Sequence, residues 1–311
     1  MNTDPLSSIL SLVDARVVYA GGLRAGGDWA VRFPPPDKIK FFVVAKGGCV
    51  LSVDGVDEPF RLRTGDVFLL SAPRGFVLAS GPGIPPIGTD GIYRPGGPVI
   101  AEVGSGEEFL MLGSHVDVDS GVGRLLVDNM PSSLHLKADA APAPRLRWLI
   151  GELVEEANSV TPGAGLAQSG LAHLMFLQIL RAYLARSDGV EVGWLRAVCD
   201  PRLAPALRLM HSDPARNWHL PELAKAAAMS RTAFATRFKA VAGMAPLAYL
   251  TEWRMRLAEK KLRLENTPVA ELARELGYSS EAAFSSAFKR VTGRSPKRGR
   301  AVPSIEVAAA N

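Results

Sequence analysis

Residues 271–296 read Glu271-Leu-Ala-Arg-Glu-Leu-Gly277-Tyr278-Ser-Ser280-Glu281-Ala-Ala-Phe284-Ser-Ser-Ala-Phe288-Lys289-Arg290-Val291-Thr-Gly293-Arg-Ser-Pro296. The same pattern stands once before, as Glu222-Leu-Ala-Lys, Ser230-Arg-Thr-Ala-Phe234, Phe238-Lys239, Val241, Gly243 and Pro246. From Phe234 to Pro246 the two copies are offset by 50 residues and at Glu222 by 49, so one extra residue falls between two short helices. Each copy is a short helix, a tight turn and a second amphipathic helix, which is the pattern of a helix-turn-helix. In the first copy Phe234, Phe238 and Val241 fall at i, i+4 and i+7 and face inward. Ser230 stands as N-cap, and Arg231, Thr232, Ala235, Thr236 and Lys239 are left on the outer side. In the second copy Phe284, Phe288 and Val291 are the inward set, Thr267 and Pro268 open the supporting helix, and Glu281, Ala282, Ser285, Ser286 and Lys289 face out.

Charge agrees with nucleic acid as the partner. The chain of 311 residues carries a net +5, but residues 196–300 alone carry +11 and the remainder −6. A basic region that coincides with the repeat is the electrostatic footprint of a phosphate backbone rather than a merely solvated surface. Residues 247–264 form a continuous helical pattern between the copies, with Leu250, Trp253, Leu257 and Leu264 on one face. Such a rod is about 27 Å long, so it can hold two recognition helices near one turn of B-DNA apart, ~34 Å.

Upstream, residues 29–33, 39–45, 49–53, 60–63, 67–70, 76–79 and 109–112 are short, apolar and partly β-branched. Gly/Pro/Asp turns such as Asp54-Gly55 and Thr64-Gly65-Asp66 separate them. They predict an antiparallel sandwich or small barrel. Residues 81–97 are Pro/Gly-rich and predict a loop. Leu146, Leu149, Ile150, Leu153 and Val154 recur at helical spacing, residues 166–184 make a second apolar helix, and residues 189–193 read as a hinge. Asp200-Pro201 is set to start the next helix. Two cysteines, Cys49 and Cys199, make neither a disulfide framework nor a thiolate metal site. Met1-Asn-Thr-Asp-Pro lacks the basic start of a signal peptide, and no apolar run spans a membrane. A cytoplasmic protein is expected.

Residues 200–300 resemble the DNA-binding domain of AraC-type transcriptional regulators, two helix-turn-helix units joined by a long helix. The residues that carry the resemblance are Leu220-x-x-Leu-Ala, Met229-Ser230-x-x-x-Phe234-x-x-x-Phe238-Lys239, Gly243-Met-Ala-Pro246-x-x-Tyr249-Leu-x-x-Trp253-Arg254, Glu271-Leu-Ala-x-x-Leu-Gly277-Tyr278 and Phe284-x-x-x-Phe288-Lys289-x-x-x-Gly293-x-Ser295-Pro296. One departure is the run Lys297-Arg298-Gly299-Arg300, where the family usually places an aromatic. The resemblance implies that Thr232, Ala235 and Thr236 face bases from the first recognition helix, and Glu281, Ala282, Ser285 and Ser286 from the second. Arg231 joins them, while Arg237, Lys239, Arg254, Lys289 and Arg290 are candidates for phosphate. Arg237, Arg254 and Arg290 could equally be solvated or internally paired.

Gly65-Asp66-x-Phe68-Leu-Leu-x-x-Pro73-x-Gly75 resembles the turn-and-strand motif of cupins. The implied architecture is multidomain α and β: a cupin-like antiparallel β-barrel sensing domain over residues 1–140, a helical connector with possible dimerisation helices over 141–195, an all-α double helix-turn-helix over 196–300, and a tail over 301–311. Enzymatic cupins hold a metal through histidines, and Phe42 and Phe76 stand where those ligands are expected; phenylalanine cannot coordinate. No metal, no cofactor and no catalytic residues are therefore expected. Phe42 and Phe76 are candidates to line an apolar effector site, against the competing possibility that both are ordinary core residues. The leading function is a DNA-binding transcriptional regulator responsive to a small molecule, a homodimer that works with RNA polymerase on promoter DNA. Activation is the expectation carried forward, though the residues do not separate it from repression. A fused cupin enzyme lacks its histidines, and a DNA-repair methyl acceptor needs an activated thiolate that neither Cys49 nor Cys199 resembles.

Overall fold

The computed structural model describes residues 4–93, 99–119, 122–139, 143–159, 161–185, 193–265 and 267–299. In chain order the first elements are helix α1 (Pro5–Leu12), then strands β1 (Arg16–Gly26), β2 (Ala30–Phe33), β3 (Ile39–Lys46), β4 (Gly48–Val53), β5 (Phe60–Arg63), β6 (Val67–Leu70) and β7 (Phe76–Ala79). β8 (Ile87–Gly88), a short 3-10 turn, β9 (Ile100–Gly104), β10 (Phe109–Asp117), α2 (Arg124–Val127) and β11 (Ser133–Leu136) follow. Helices complete the chain: α3 (Ala143–Ala157), α4 (Ala164–Leu184), α5 (Trp194–Cys199), α6 (Ala204–Ser212), α7 (Leu220–Ala226), α8 (Arg231–Ala242), α9 (Pro246–Leu264), α10 (Val269–Glu275), α11 (Glu281–Thr292) and α12 (Pro296–Gly299). Contacts gather into two units, one of Ala15–Val118 and Met130–Val190, the other of Met1–Asp14, Asp119–Asn129 and Glu191–Asn311.

The first unit is two sheets enclosing one core. A six-stranded sheet runs β11-β6-β3-β10-β1-β9 and a five-stranded one β5-β4-β7-β2-β8. β3 shows how sequence sets the layers. Alternation sends Phe42 and Val44 into the core between the sheets, with Phe33, Leu51, Phe68, Leu78 and Met111. Phe41 points the other way and stacks on Phe176 of α4, ring centroids 6.0 Å apart. A strand buried on both faces is why 39–44 is almost unbroken in apolar residues.

Two details depart from a closed antiparallel barrel. The hydrogen-bonded ladders form two separate sheets, as in a double-sheet jelly roll. β1–β9 and β2–β8 pair in parallel, because β8 and β9 return along an edge instead of through a hairpin. The Gly65-Asp66 motif proves structural. Gly65 takes φ +89°, and buried Asp66 accepts from the Arg63 and Ala138 amides and pairs with His135 Nε2 at 2.9 Å. Leu146, Leu149 and Leu153 of α3 are buried inside the chain, where α3 packs on α4 and β3. They cannot serve as a free dimerisation face. The exposed apolar side chains of these helices are Trp148, Leu166 and Leu174, at 60%, 81% and 47% exposure.

The second unit contains more than the C-terminal third. α1, capped by Asp4 accepting from the Ser7 amide, lays Ile9 and Leu12 inward and packs on α5, α6 and α9. Val122 and Leu126 of the 119–129 excursion are fully buried, and Asn129 Oδ1 accepts from the Trp194 amide at 3.2 Å. Arg263 pairs with Asp119. The expected domain 1–140 is thus not continuous: its first helix and its 119–129 segment join the helical unit, while α3 and α4 of the expected connector complete the sheet unit. The expected hinge falls mostly on residues outside the described set; Gly193, which is described, donates to the Val241 carbonyl. Asp200 accepts from the Arg202 and Leu203 amides, but the helix it primes begins at Ala204 and is preceded by α5.

Candidate nucleic-acid interface and effector hollow

α8 and α11 are built alike. Ser230 and Ser280 each accept from the amide three residues on, Ala233 and Ala283, at 3.2 Å. Gly243 and Gly293 end the helices at φ +76° and +75°, in the left-handed conformation that glycine adopts freely. Phe234, Phe238, Phe284 and Phe288 are fully buried. Val241 is also buried, whereas Val291 is half-buried and Ala287 takes the inward place beside it. Thr267 does not cap α10, which starts after Pro268; its hydroxyl donates to Glu265.

α9 serves both units by turning a different face to each. Tyr249, Leu250 and Trp253 are buried in the first, where Tyr249 lies 5.4 Å from the Phe238 ring and 4.4 Å from Trp194. Met255, Ala258 and Leu262 enter the core of the second with Leu272, Phe284 and Phe288. This rotation corrects the single stripe expected from sequence: Leu257 is half-buried and Leu264 is 69% exposed. Glu259, 3% exposed, holds Arg256 at 3.2 Å and Arg294 at 2.5 Å.

The outer faces carry the candidates. Arg231, Thr232 and Thr236 are exposed and Ala235 is half-buried. On α11, Glu281, Ala282 and Ser286 are exposed and Ser285 is half-buried. Glu281, Ser285, Ser286 and Lys289 line one shallow hollow of about 290 Å³ together with Lys297. Lys239, Lys289 and Arg290 are exposed, with no acidic partner among the described residues.

Two of the phosphate candidates are committed elsewhere. Arg237 grips Asp200 through Nη2 at 2.7 Å and Nε at 3.3 Å, tying α8 to the start of α6. Arg254 donates from α9 to the carbonyls of Pro214, Ala215 and Arg216 and lies over the Tyr278 ring. Each guanidinium thus spends part of its five donors on the fold, and Asp200 offsets the charge of Arg237. For these two the internal pairing left open by the sequence is what the fold contains, with partners 37 to 40 residues away.

Of the two alternatives for Phe42 and Phe76, the fold contains the core one. They are 1% and 0% exposed, stacked on each other at 5.8 Å within the core. The hollow beside them, about 330 Å³, is bordered by Phe33, Lys40, Tyr93, Met111 and the backbone of Gly21 and Gly113. Sequence reasoning missed Lys40, although a lysine at a core-facing step of an apolar strand was the available signal. Burial pushes the Cys49 thiol up to about 12 and raises that of Cys199, which disfavours the thiolate at both. Among the described residues no helix is long and apolar enough to cross a membrane.

Two capped recognition helices on a shared rod, in one chain with a two-sheet unit, define a helix-turn-helix protein that also carries a cupin domain. Family comparison agrees: residues 4–185 match the cupin family and residues 223–301 the helix-turn-helix domain. The chain is 39% identical over 302 residues to a putative AraC-like transcription regulator of Streptomyces lividans, spanning 97% of this chain and 99% of that one. A second such regulator, from Streptomyces antibioticus, is 39% identical over 94% of this chain and 97% of its own. The transcriptional regulator MtrA of Neisseria gonorrhoeae is 28% identical over 88% of this chain and 90% of its own. The chain belongs to the AraC-like family of DNA-binding transcription regulators.

Proposed function

We propose that this regulator reads promoter DNA through two adjacent major-groove segments, one for α8 and one for α11. Thr232, Ala235 and Thr236 face bases in one segment, and Glu281, Ala282, Ser285 and Ser286 in the other. Arg231 sits at the entrance of α8 and reaches a base edge or the backbone beside it. Lys239, Lys289 and Arg290 neutralise phosphates. Arg237 and Arg254 contribute by holding α8 and the 214–216 loop in place. The observation that carries this reading is the matched pair of capped helices whose outer faces hold small polar and basic side chains. The proposal extends to a small-molecule effector in the sheet unit, a homodimer formed with help from the exposed Trp148, Leu166 and Leu174, RNA polymerase as the downstream partner, a cytoplasmic location, and no enzymatic activity of its own. Footprinting of the full chain on its own promoter tests it. Two protected major-groove segments per protomer, about 34 Å apart on one face, are expected. A single protected segment per protomer would overturn the tandem arrangement.

A further inference from the structure

The hollow in the sheet unit has an origin that can be traced residue by residue. β1 pairs with β10, and the register slips between Tyr19 and Gly21, so Ala20 bulges out of the ladder. Immediately after the bulge Gly21 faces Gly113 across the two strands. Met111, Gly113 and His115 share one face of β10 by strand alternation, and Met111 belongs to the core between the sheets. Gly113 therefore leaves a missing side chain on the inner face. A Cβ built there would meet only the Gly21 carbonyl, at 3.7 Å. The bulge and the glycine pair open a space of about 330 Å³, at the small end of the range for ligand pockets.

One cation faces this space. Lys40 stands on the same face of β3 as Phe42 and Val44, a step that otherwise feeds the core. Its ammonium lies 5.0 Å from the centroid of Phe33 and 5.6 Å from that of Phe76, two rings stacked at 4.7 Å. Those rings offer a cation partial compensation. Among the described residues Lys40 has no carboxylate and no hydrogen-bond acceptor. Its neighbour Lys38 does have one, Asp117 at 2.7 Å. Burial lowers the Lys40 ammonium below its ordinary range, the mark of a charge that has lost water without gaining a counter-ion. Apolar walls come from Phe33, Met111 and Tyr93, whose hydroxyl is engaged by the Gly22 carbonyl at 3.1 Å.

We infer that this hollow binds a small monocarboxylate with a compact apolar body, its carboxylate on Lys40 and its body against Phe33 and Met111 in the space that Gly113 leaves. The inference rests on reading the sheet unit as the effector-binding half. A negative group restores the counter-ion that Lys40 lacks, and a charge-assisted hydrogen bond in a half-closed site is strong enough to decide between an acid and its neutral isostere. The limited volume selects a ring or a short branched chain over an extended one.

Calorimetric titration of the full chain with benzoate, cyclohexanecarboxylate and the matched amides tests this. The acids are expected to bind and the amides to bind about 10- to 100-fold more weakly. Lys40→Met should lose the acids while keeping the fold, since it removes an unpaired buried charge, and Lys40→Arg should keep them. Gly113→Val should block acid and amide alike, and its new Cβ meets ordinary contact distances. Equal binding of acid and amide, unchanged binding in Lys40→Met, or no binding of either acid by the wild-type chain would overturn the inference. Promoter affinity measured with saturating benzoate separates the two levels. Binding as expected with unchanged promoter affinity supports the site and removes its regulatory role.

Discussion

The two helix-turn-helix copies share a fold and differ where each meets its surroundings. At the turn, Ala228 takes φ +52° in the first copy and Gly277 takes +78° in the second. The first tolerates a side chain in a left-handed conformation that costs about 1–2 kcal/mol. The second cannot, because a Cβ on Gly277 would stand 1.9 Å from the Ala215 carbonyl, one of those that Arg254 gathers. At the head of the recognition helix the first copy has Arg231 and the second Glu281. On the proposed reading one repeat presents a cation to DNA and the other an anion, which would divide affinity and selectivity unequally between otherwise matched helices.

The largest effect expected from this difference is in stability. Gly277→Ala should lower the unfolding free energy by about 2–4 kcal/mol, combining backbone strain with overpacking. Equilibrium urea unfolding measures it, and a loss below 1 kcal/mol would show that the turn yields easily.

Next is a dependence on pH that the first copy contributes and the second, which has no histidine, does not. His211 stacks on Trp253 at 3.9 Å, and burial drives its imidazole from 6.5 down to about 3. Between those values the unfolded chain binds the extra proton, so stability is complete above pH 6.5 and falls as pH falls. The loss should reach about 2 kcal/mol at pH 5. Burial lowers His115 as well and adds in the same direction. The readout is therefore the slope of stability against pH, which should be shallower in His211→Phe than in the wild-type chain. Equal slopes would refute the assignment.

Arg231→Ala should weaken promoter binding about tenfold and reduce the salt slope by about one. Glu281→Ala should leave the salt slope nearly as it was and relax preference at one base pair; fluorescence anisotropy over a salt series separates the two. The smallest effect is Ala228→Gly, which should stabilise by about 1 kcal/mol through relief of the left-handed alanine. A thermal melt that does not move upward would mean the turn is already relaxed.

Much of the helical half was legible because its signals are local. The phenylalanines at four-residue spacing, the serine caps and the terminal glycines each act within a turn or two of where they stand. Seven of the strands were legible for the same reason, through β-branched runs closed by Gly and Asp. β1 was not, because Gly21, Gly22 and Gly26 read as breaks, whereas in the fold Ala20 is the bulge and Gly21 pairs with Gly113 just after it. α1 carried a readable start in Asp4-Pro5, but its attachment to α5, α6 and α9 depends on contacts some two hundred residues away. The partners of Arg237 and Arg254 lie nearer, 37 and 38 to 40 residues away, but still beyond the reach of local pattern. Lys40 shares a face with Phe42 by strand alternation alone, so its place was readable; the hollow it faces was not, because that depends on the pairing of Gly21 with Gly113.

The central claim is that each recognition helix reads its own segment. Selection of binding sites from randomised DNA with the wild-type chain, Thr236→Ala and Ser286→Ala tests it most directly. The account predicts that each substitution changes base preference at one cluster of positions only, and that the two clusters lie about one helical turn, ~10 base pairs, apart. Changes at the same positions in both variants would contradict it.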